Sequence, residues 1–544
     1  MIWNILKKDL ILLWPMAGLT ALAQFAMAAL MAASDTQPDA QYLLLAARLS
    51  VALVFLAMVF TIAFAVHQDP IPGTRQDWLV RPIRRGDLLA AKVLFVLAAV
   101  HLPMLIADLG GGLVRGFPVA DAAGAALIRN LNLLVMITLP TLGFAAMTAN
   151  ITQFLVAGVA YFLLSIAGTI VLNLAARLGG QEQATNPLFW TGVAWIPQTV
   201  QRAALAAGAV VALALLYSRR RILLARSLFP AFAVLSALAV LLPWEWIFAL
   251  QHTASAATPD APVEAVFDAH APRYRLAAGE TPDAYDMGAA QVQLRGRAAG
   301  DISVETQSRR AKGDVTVFIP LRLGGVSAGD ILWSDRAVVQ LKTPSGKVLF
   351  RGRGDDLKLE RGDGTAPVVR AYESIRIPAL VFESIRNQPL TLQIDYSLSL
   401  LDRQPPLSAQ ALGADVALPG LGHCSTDRDE DGDEIALRCI IPGRAPSCLS
   451  TRLEDPASGR RNPETLLCAP DYAPYVVKPF PDALSRFEVE TAFRDRLGLA
   501  TYPVGVGQLS TAKVVITPYR PHWHRTRRVL SPGVRVADWT AEKG

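Results

Sequence analysis

Apolar and polar positions divide this chain near Gln251. Before it, long apolar runs recur: Leu10 to Ala33, Tyr42 to Val66, Leu88 to Leu109, Leu127 to Ala149, Ile151 to Ala176, Val200 to Ser218 and Ser227 to Leu250. A helix needs about 20 such residues to cross a bilayer, so the pattern predicts about seven transmembrane helices. The fourth and fifth runs are joined only by the polar turn Thr148 to Gln153, which predicts an antiparallel hairpin. Ahead of the first run, Trp3, Ile5 and Leu6 stand beside Lys7, Lys8 and Asp9. That mixture predicts a short helix lying at the membrane interface. A cleaved signal peptide is the competing reading, but the run is long for one and further spans follow.

After Gln251 the pattern changes. Residues 251–282 are rich in Ala, Pro, Asp and Thr and read as a linker. From about Gln291 the apolar positions alternate with period two between turn signals, as in half-buried strands. Runs from Val315, Ala337, Leu390 and Ala512 are strands, and Thr-Pro-Ser-Gly at 343–346 joins two of them as a hairpin. No long helical pattern alternates with them, so the expectation is an all-β, sandwich-like domain over 283–544. The domain plan is therefore an α-helical polytopic membrane domain over 1–250, a linker, and this β domain.

Composition fits that plan. A chain of 544 residues is too long for a single core. Mean hydropathy is positive, yet 18% of residues are charged. The net charge of +6 does not mark a nucleic-acid partner, because the arginines cluster beside apolar runs. With the N-terminus inside, the inner segments hold Lys7, Lys8, Arg75, Arg81, Arg84, Arg85, Arg219, Arg220, Arg221 and Arg226. The opposite segments hold Arg115, Arg129, Arg177 and Arg202. This bias sets orientation by the positive-inside rule, and seven crossings then put the β domain outside. Cys424, Cys439, Cys448 and Cys468 all fall in that domain, where an oxidising compartment makes two disulfides. Four cysteines allow three pairings, and proximity favours Cys424 with Cys439 and Cys448 with Cys468.

Chemistry-bearing motifs are few. Polar groups within spans are costly and often functional, which singles out Arg48, His101 and Asp108 as candidates for a translocation path. His101 and Asp108 are seven apart and share a helix face. Arg48 and Asp108 lie toward the outer side, where they either pair or reach separately to the interface. Asp427, Asp429, Asp431 and Asp433 with Gly432 have the spacing of the start of a calcium loop, but the closing glutamate is replaced by Arg438. An acidic hairpin tip is the other reading of that stretch. Gly325-Val326-Ser327-Ala328-Gly329 lacks the following helix that a nucleophile elbow needs. His522 and His524 make only two ligands of a metal site. A P-loop is absent, so this chain does not cradle ATP phosphates through that motif.

The stretch Gly73-Thr-Arg-Gln-Asp-Trp-Leu-Val-Arg-Pro-Ile-Arg-Arg-Gly-Asp-Leu-Leu-Ala-Ala-Lys92 sits between the second and third runs. It resembles the first cytosolic loop of ABC-2 type transporter permeases, with Gly73, Thr74, Leu79, Pro82, Arg84, Arg85, Leu88, Leu89 and Lys92 matching in order. The resemblance covers roughly the first 250 residues. The seventh span and the large outer domain depart from the family pattern, so no substrate class follows. The resemblance implies that Arg75, Asp77, Trp78, Arg81, Arg84, Arg85 and Asp87 dock on a separate ATPase subunit. It implies a non-catalytic permease subunit of an exporter in a bacterial inner membrane. The subunit would be dimeric with itself or a sibling and would bind no cofactor beyond the candidate calcium. A membrane-anchored sensor or envelope assembly factor is the alternative, and a membrane-embedded hydrolase is a weaker third.

Overall fold

The computed structural model describes residues 1–36, 41–70, 84–178, 193, 195–219, 221–239, 242–255, 264–276, 314–327, 329–334, 337–354, 357–360, 368–428, 435–442, 448–457, 459–461, 465–468, 484–491 and 511–543. They form two compact units. One holds nearly all of the apolar helices and the other the sheets.

In the helical unit the first two helices are α1 (Ile2–Thr36) and α2 (Gln41–His67). The third span is α3 (Arg85–Val96), a π-helical turn Leu97–His101 and α4 (Leu102–Val114). The fourth is α5 (Val119–Leu133), a second π turn Leu134–Thr138 and α6 (Leu139–Met147). Then come α7 (Ile151–Leu178), α8 (Trp195–Ala214) with a π turn Leu215–Arg219, and α9 (Ile222–Leu238). Six of these spans are long and apolar enough to cross a membrane, as a multi-pass membrane protein requires. Their shared core includes Ile62, Ala91, Phe95, Val100, Leu142 and Leu216. Leu12, Trp14 and Leu22 on α1, Leu49 and Leu53 on α2, and Val156, Phe162 and Leu164 on α7 face outward. Outward apolar side chains of this kind suit lipid, not water.

Three expectations are corrected here. The N-terminal segment is not a separate interfacial helix: α1 runs unbroken through Pro15, since a proline inside a membrane helix can be accommodated by its neighbours. The run Ser227 to Leu250 is not one continuous helix long enough to count with those six. It divides into α9 and a second helix, α10 (Trp244–Ser255), which belongs to the β-rich unit. Pro243 disfavours helix in the residue before it. The linker is also partly ordered, since two strands lie between residues 264 and 276. The predicted turn between spans four and five holds: α6 ends at Met147 and α7 starts at Ile151.

The two π turns in spans three and four have a shared cause. Pro103 and Pro140 each follow two residues after a π turn ends. A proline has no N–H for the carbonyl four residues back, and its ring crowds that carbonyl. A wider turn just before it relieves the crowding.

The second unit contains α10, the short helix Ala379–Ile385 and the strands. In order these are β1 (Glu264–Phe267), β2 (Arg275–Leu276), β3 (Val315–Gly324), β4 (Ile331–Ser334), β5 (Val338–Lys342), β6 (Val348–Arg353), β7 (Leu357–Glu360), β8 (Val368–Ile377) and β9 (Leu390–Arg403). They continue with β10 (Leu407–Gln410), β11 (Asp415–Leu418), β12 (Gly422–Arg428), β13 (Ile435–Pro442), β14 (Cys448–Asp455), β15 (Arg460–Arg461), β16 (Thr465–Cys468), β17 (Leu484–Thr491), β18 (Lys513–Val534) and β19 (Glu542–Lys543). Among the described residues, β1-β3-β8 form one sheet, and β11-β12-β13-β17 another. The largest runs β15-β14-β18-β9-β4-β7, with β5 pairing β9. The hairpin expected at 343–346 joins β5 to β6, with Gly346 at φ 87°, a conformation that favours glycine.

Strand β9 shows why the sheets pack as they do. Leu392, Ile394, Tyr396, Leu398 and Leu400 enter the apolar core with Val317, Ile319, Leu321 and Ile375. Gln393, Asp395, Ser397 and Ser399 take the opposite face and are buried too. A buried polar face needs partners, and α10 and β18 supply them to Asp395. Trp244 Nε1 donates to Asp395 (2.8 Å), Arg528 binds both Asp395 (2.6 Å) and Glu245 (2.8 Å), and His252 meets Thr526 (3.1 Å).

Candidate functional site

Four charges from three helices meet in the helical unit. Lys92 of α3 donates to Asp9 of α1 at 2.8 Å and to Asp69, just past α2, at 2.8 Å. Lys8 of α1 donates to both oxygens of Asp69 at 2.8 Å and lies 3.8 Å from Asp9. The four therefore form a closed ring of alternating sign. Asp9 is fully buried and Lys92 is 1% exposed, whereas Lys8 reaches the surface. Burial alone would raise the Asp69 carboxyl, but Lys92 and then Lys8 outweigh it and hold it below the usual carboxylate range.

Sequence position gives the ring its interest. Asp69 lies at the end of α2, and Lys92 lies in the second turn of α3. They flank residues 71–83 and fasten both ends of that segment to α1. At the same end of the unit, His67 Nε2 meets Thr148 Oγ1 at 2.9 Å, and Arg226 of α9 donates twice to Met147 O.

Of the predicted docking residues, Arg75, Asp77, Trp78 and Arg81 lie outside the described residues. Arg84 precedes α3 in extended conformation, and Arg85 and Asp87 stand in its first turn. An acidic side chain there opposes the positive end of the helix dipole.

The three predicted path residues separate. Arg48 is exposed and does not pair with Asp108. Asp108 instead takes Arg129 of α5 at 2.5 Å. Arg129 reads with the outer segments because it stands only two residues into a run that starts at Leu127. The helix begins eight residues earlier, at Val119, through a stretch of small side chains. His101 is buried at the end of its π turn and joins two partners: Asn130 Oδ1 at 3.2 Å and Thr138 Oγ1 at 2.9 Å. Asn130 gives its amide nitrogen to Ala126 O, so it presents oxygen to the ring. Nδ1 therefore carries the hydrogen, and Nε2 accepts from the Thr138 hydroxyl. From α1, Gln24 Nε2 donates to Val100 O within the same π turn (3.0 Å).

In the β-rich unit, the disulfide Cys424–Cys439 links β12 to β13. Cys448 is also disulfide-bonded, and Cys468 is its register partner across β14 and β16. Asp427 is exposed at the end of β12, while Asp429, Asp431 and Asp433 lie outside the described residues. No group of metal-ligating side chains is found among the described residues. Gly325 and Gly329 lie between β3 and β4, and β4, not a helix, follows them.

Sequence reasoning missed Asp9, Lys92 and Asp69 as a set, and it missed Arg129, Asn130 and Thr138. A signal for the ring was present. Asp9 and Lys92 are each the eighth residue of their helices, about 10 Å along each from its start. The two helices run the same way in an up-and-down bundle, so opposite charges come to one depth. Compared with known proteins, the chain matches no family model and no curated protein sequence.

Proposed function

We propose that this chain is the membrane-spanning permease subunit of an ABC-2 type exporter. ATP hydrolysis on a separate ATPase subunit drives substrate movement across the bacterial inner membrane. The ATPase docks from the cytosol on the loop holding Arg75 to Asp87, and the β-rich unit lies outside. In this reading α9, at seventeen residues, is the last crossing, at the short limit for a span.

The observation that supports the reading is the charge ring at the base of that loop. Lys92, the last position of the loop motif, is its buried centre. A loop that only joined two spans would need no such clamp. Buried ion pairs resist separation, because parting them leaves charge in a medium that does not solvate it. A push on the loop is therefore passed to α1, α2 and α3 together, as a rigid-body response to a nucleotide cycle requires.

The test is affinity purification of the full chain from native membranes in mild detergent. The proposal predicts a P-loop ATPase in near-stoichiometric amount. A folded protein that brings down none contradicts it and returns weight to a sensor or assembly factor.

A further inference from the structure

We infer that His101 is the positioning residue of a paired hinge, at which spans three and four divide into halves that move separately. The inference takes its purpose from the permease reading, but the geometry stands without it. Above the π turns, α4 and α5 pack along each other. Their approach is close: a Cβ built at Gly112 would lie 2.7 Å from Ala122 Cβ. The Asp108–Arg129 ion pair joins the same two helices. Below the π turns α3 and α6 do not pack along each other as α4 and α5 do, while α1 follows span three through both halves, packing on α3 and on α4 alike. Helix α3 packs on α1, α2 and the turn Leu215–Arg219, whereas α6 packs on α2, α7 and α9. The two spans thus run together in one half and diverge in the other, where α2 lies against both.

The fork falls at the π turns Leu97–His101 and Leu134–Thr138. A π turn within a helix has an i→i+5 pattern that α-helix can replace by a one-residue register change, so it offers two local arrangements. Each turn is held next to a proline, and the two are tied to each other by one side chain. His101 ends the first turn and bonds Thr138, which ends the second. Its other nitrogen bonds Asn130 in the half that stays paired. The imidazole joins both turns and α5 at once, so a change in one turn is felt in the other. Lys92 of the charge ring lies in α3, on the moving side of the hinge, five residues before Leu97.

The test uses the full chain in lipid nanodiscs with pairs of spin labels on introduced cysteines. Leu94→Cys with Thr141→Cys reports the lower halves, and Leu113→Cys with Leu127→Cys reports the upper. With His101→Leu, the lower-pair distance should shift or broaden by about 2 Å or more, the scale of helix shifts in switching proteins. The upper pair should not change. His101→Gln, which retains an amide donor and acceptor, should restore the wild-type lower distance. If His101→Leu does not fold, Thr138→Val removes one bond at nearly constant volume and should shift the lower pair in the same direction. Unchanged lower distances, or equal shifts in both pairs, overturn the hinge. With the co-purified ATPase and a non-hydrolysable ATP analogue, the lower pair alone should respond. If no ATPase is recovered, the permease reading falls, and the comparison of His101→Leu with wild type still decides the hinge.

Discussion

Lys92→Met is the perturbation that tests the charge ring most sharply. Methionine keeps most of the volume and removes the cation. Asp69 retains Lys8 at 2.8 Å, so its loss is small. Asp9 is left fully buried with Lys8 no closer than 3.8 Å. Removing one partner of a buried pair costs about 3–5 kcal/mol, because the other charge stays desolvated. For a unit of this size, each 1 kcal/mol moves a melting temperature by about 2–4 °C, so the expected fall is roughly 10 °C. Helical circular dichroism of the detergent-solubilised protein reports the helical unit in preference to the sheets. Asp9→Asn in the Lys92→Met background should recover most of the loss, since neither charge then remains unpaired. Lys92→Met melting with wild type, or a double variant as weak as the sum of the two singles, would refute the reasoning.

Other consequences follow from the same contacts. Arg129→Met should destabilise the helical unit by about 2–4 kcal/mol by removing the cation beside buried Asp108, whereas exposed Arg48→Ala should stay within about 0.5 kcal/mol; helical melting separates them. In the β-rich unit, burial pushes Glu245 up, but the Arg528 ion pair outweighs it and holds its carboxyl below the usual value. A lowered folded value means that the stabilisation is complete above the unfolded value of about 4.3 and is lost as pH falls through the folded one. Fluorescence of neighbouring Trp244, followed on acidification, should therefore change below about pH 4, and Glu245→Gln should remove that component. Replacing Cys424 and Cys439 by serine releases a loop spanning 15 residues, which should cost about 3 kcal/mol in denaturant unfolding of the sheets.

How much of this was legible in the sequence depended on the range of the interaction. Short-range features were. Thr148 to Gln153 had no room for anything but a tight turn, Thr-Pro-Ser-Gly at 343–346 marked its hairpin, and Cys424 and Cys439 faced each other because they flank one turn. Apolar runs gave six of the spans because length and hydropathy are local. Long-range partners were not legible. Trp244 and Glu245 extended an apolar run, yet their partners Asp395 and Arg528 lie 151 and 283 residues away. Arg129 stood at the very start of a run begun at Leu127, because Ala122 to Ala126 were undervalued, and it grouped with the outer segments, so Arg48 seemed the nearer partner for Asp108. The π turns leave no hydropathy trace, although Pro103 and Pro140 at matching places in adjacent spans hinted at them. The seven-residue spacing of His101 and Asp108 assumed a regular helix, and the π turn shows that regularity cannot be taken for granted at His101.

Recovery of an ATPase with the docking loop reversed in charge tests the central claim most directly. Wild type and Arg84→Glu/Arg85→Glu would be purified in parallel from native membranes, each checked for helical melting. The account predicts a P-loop ATPase with wild type and its loss with the folded variant. Equal recovery from both would contradict docking through this loop, and recovery from neither would contradict the permease itself.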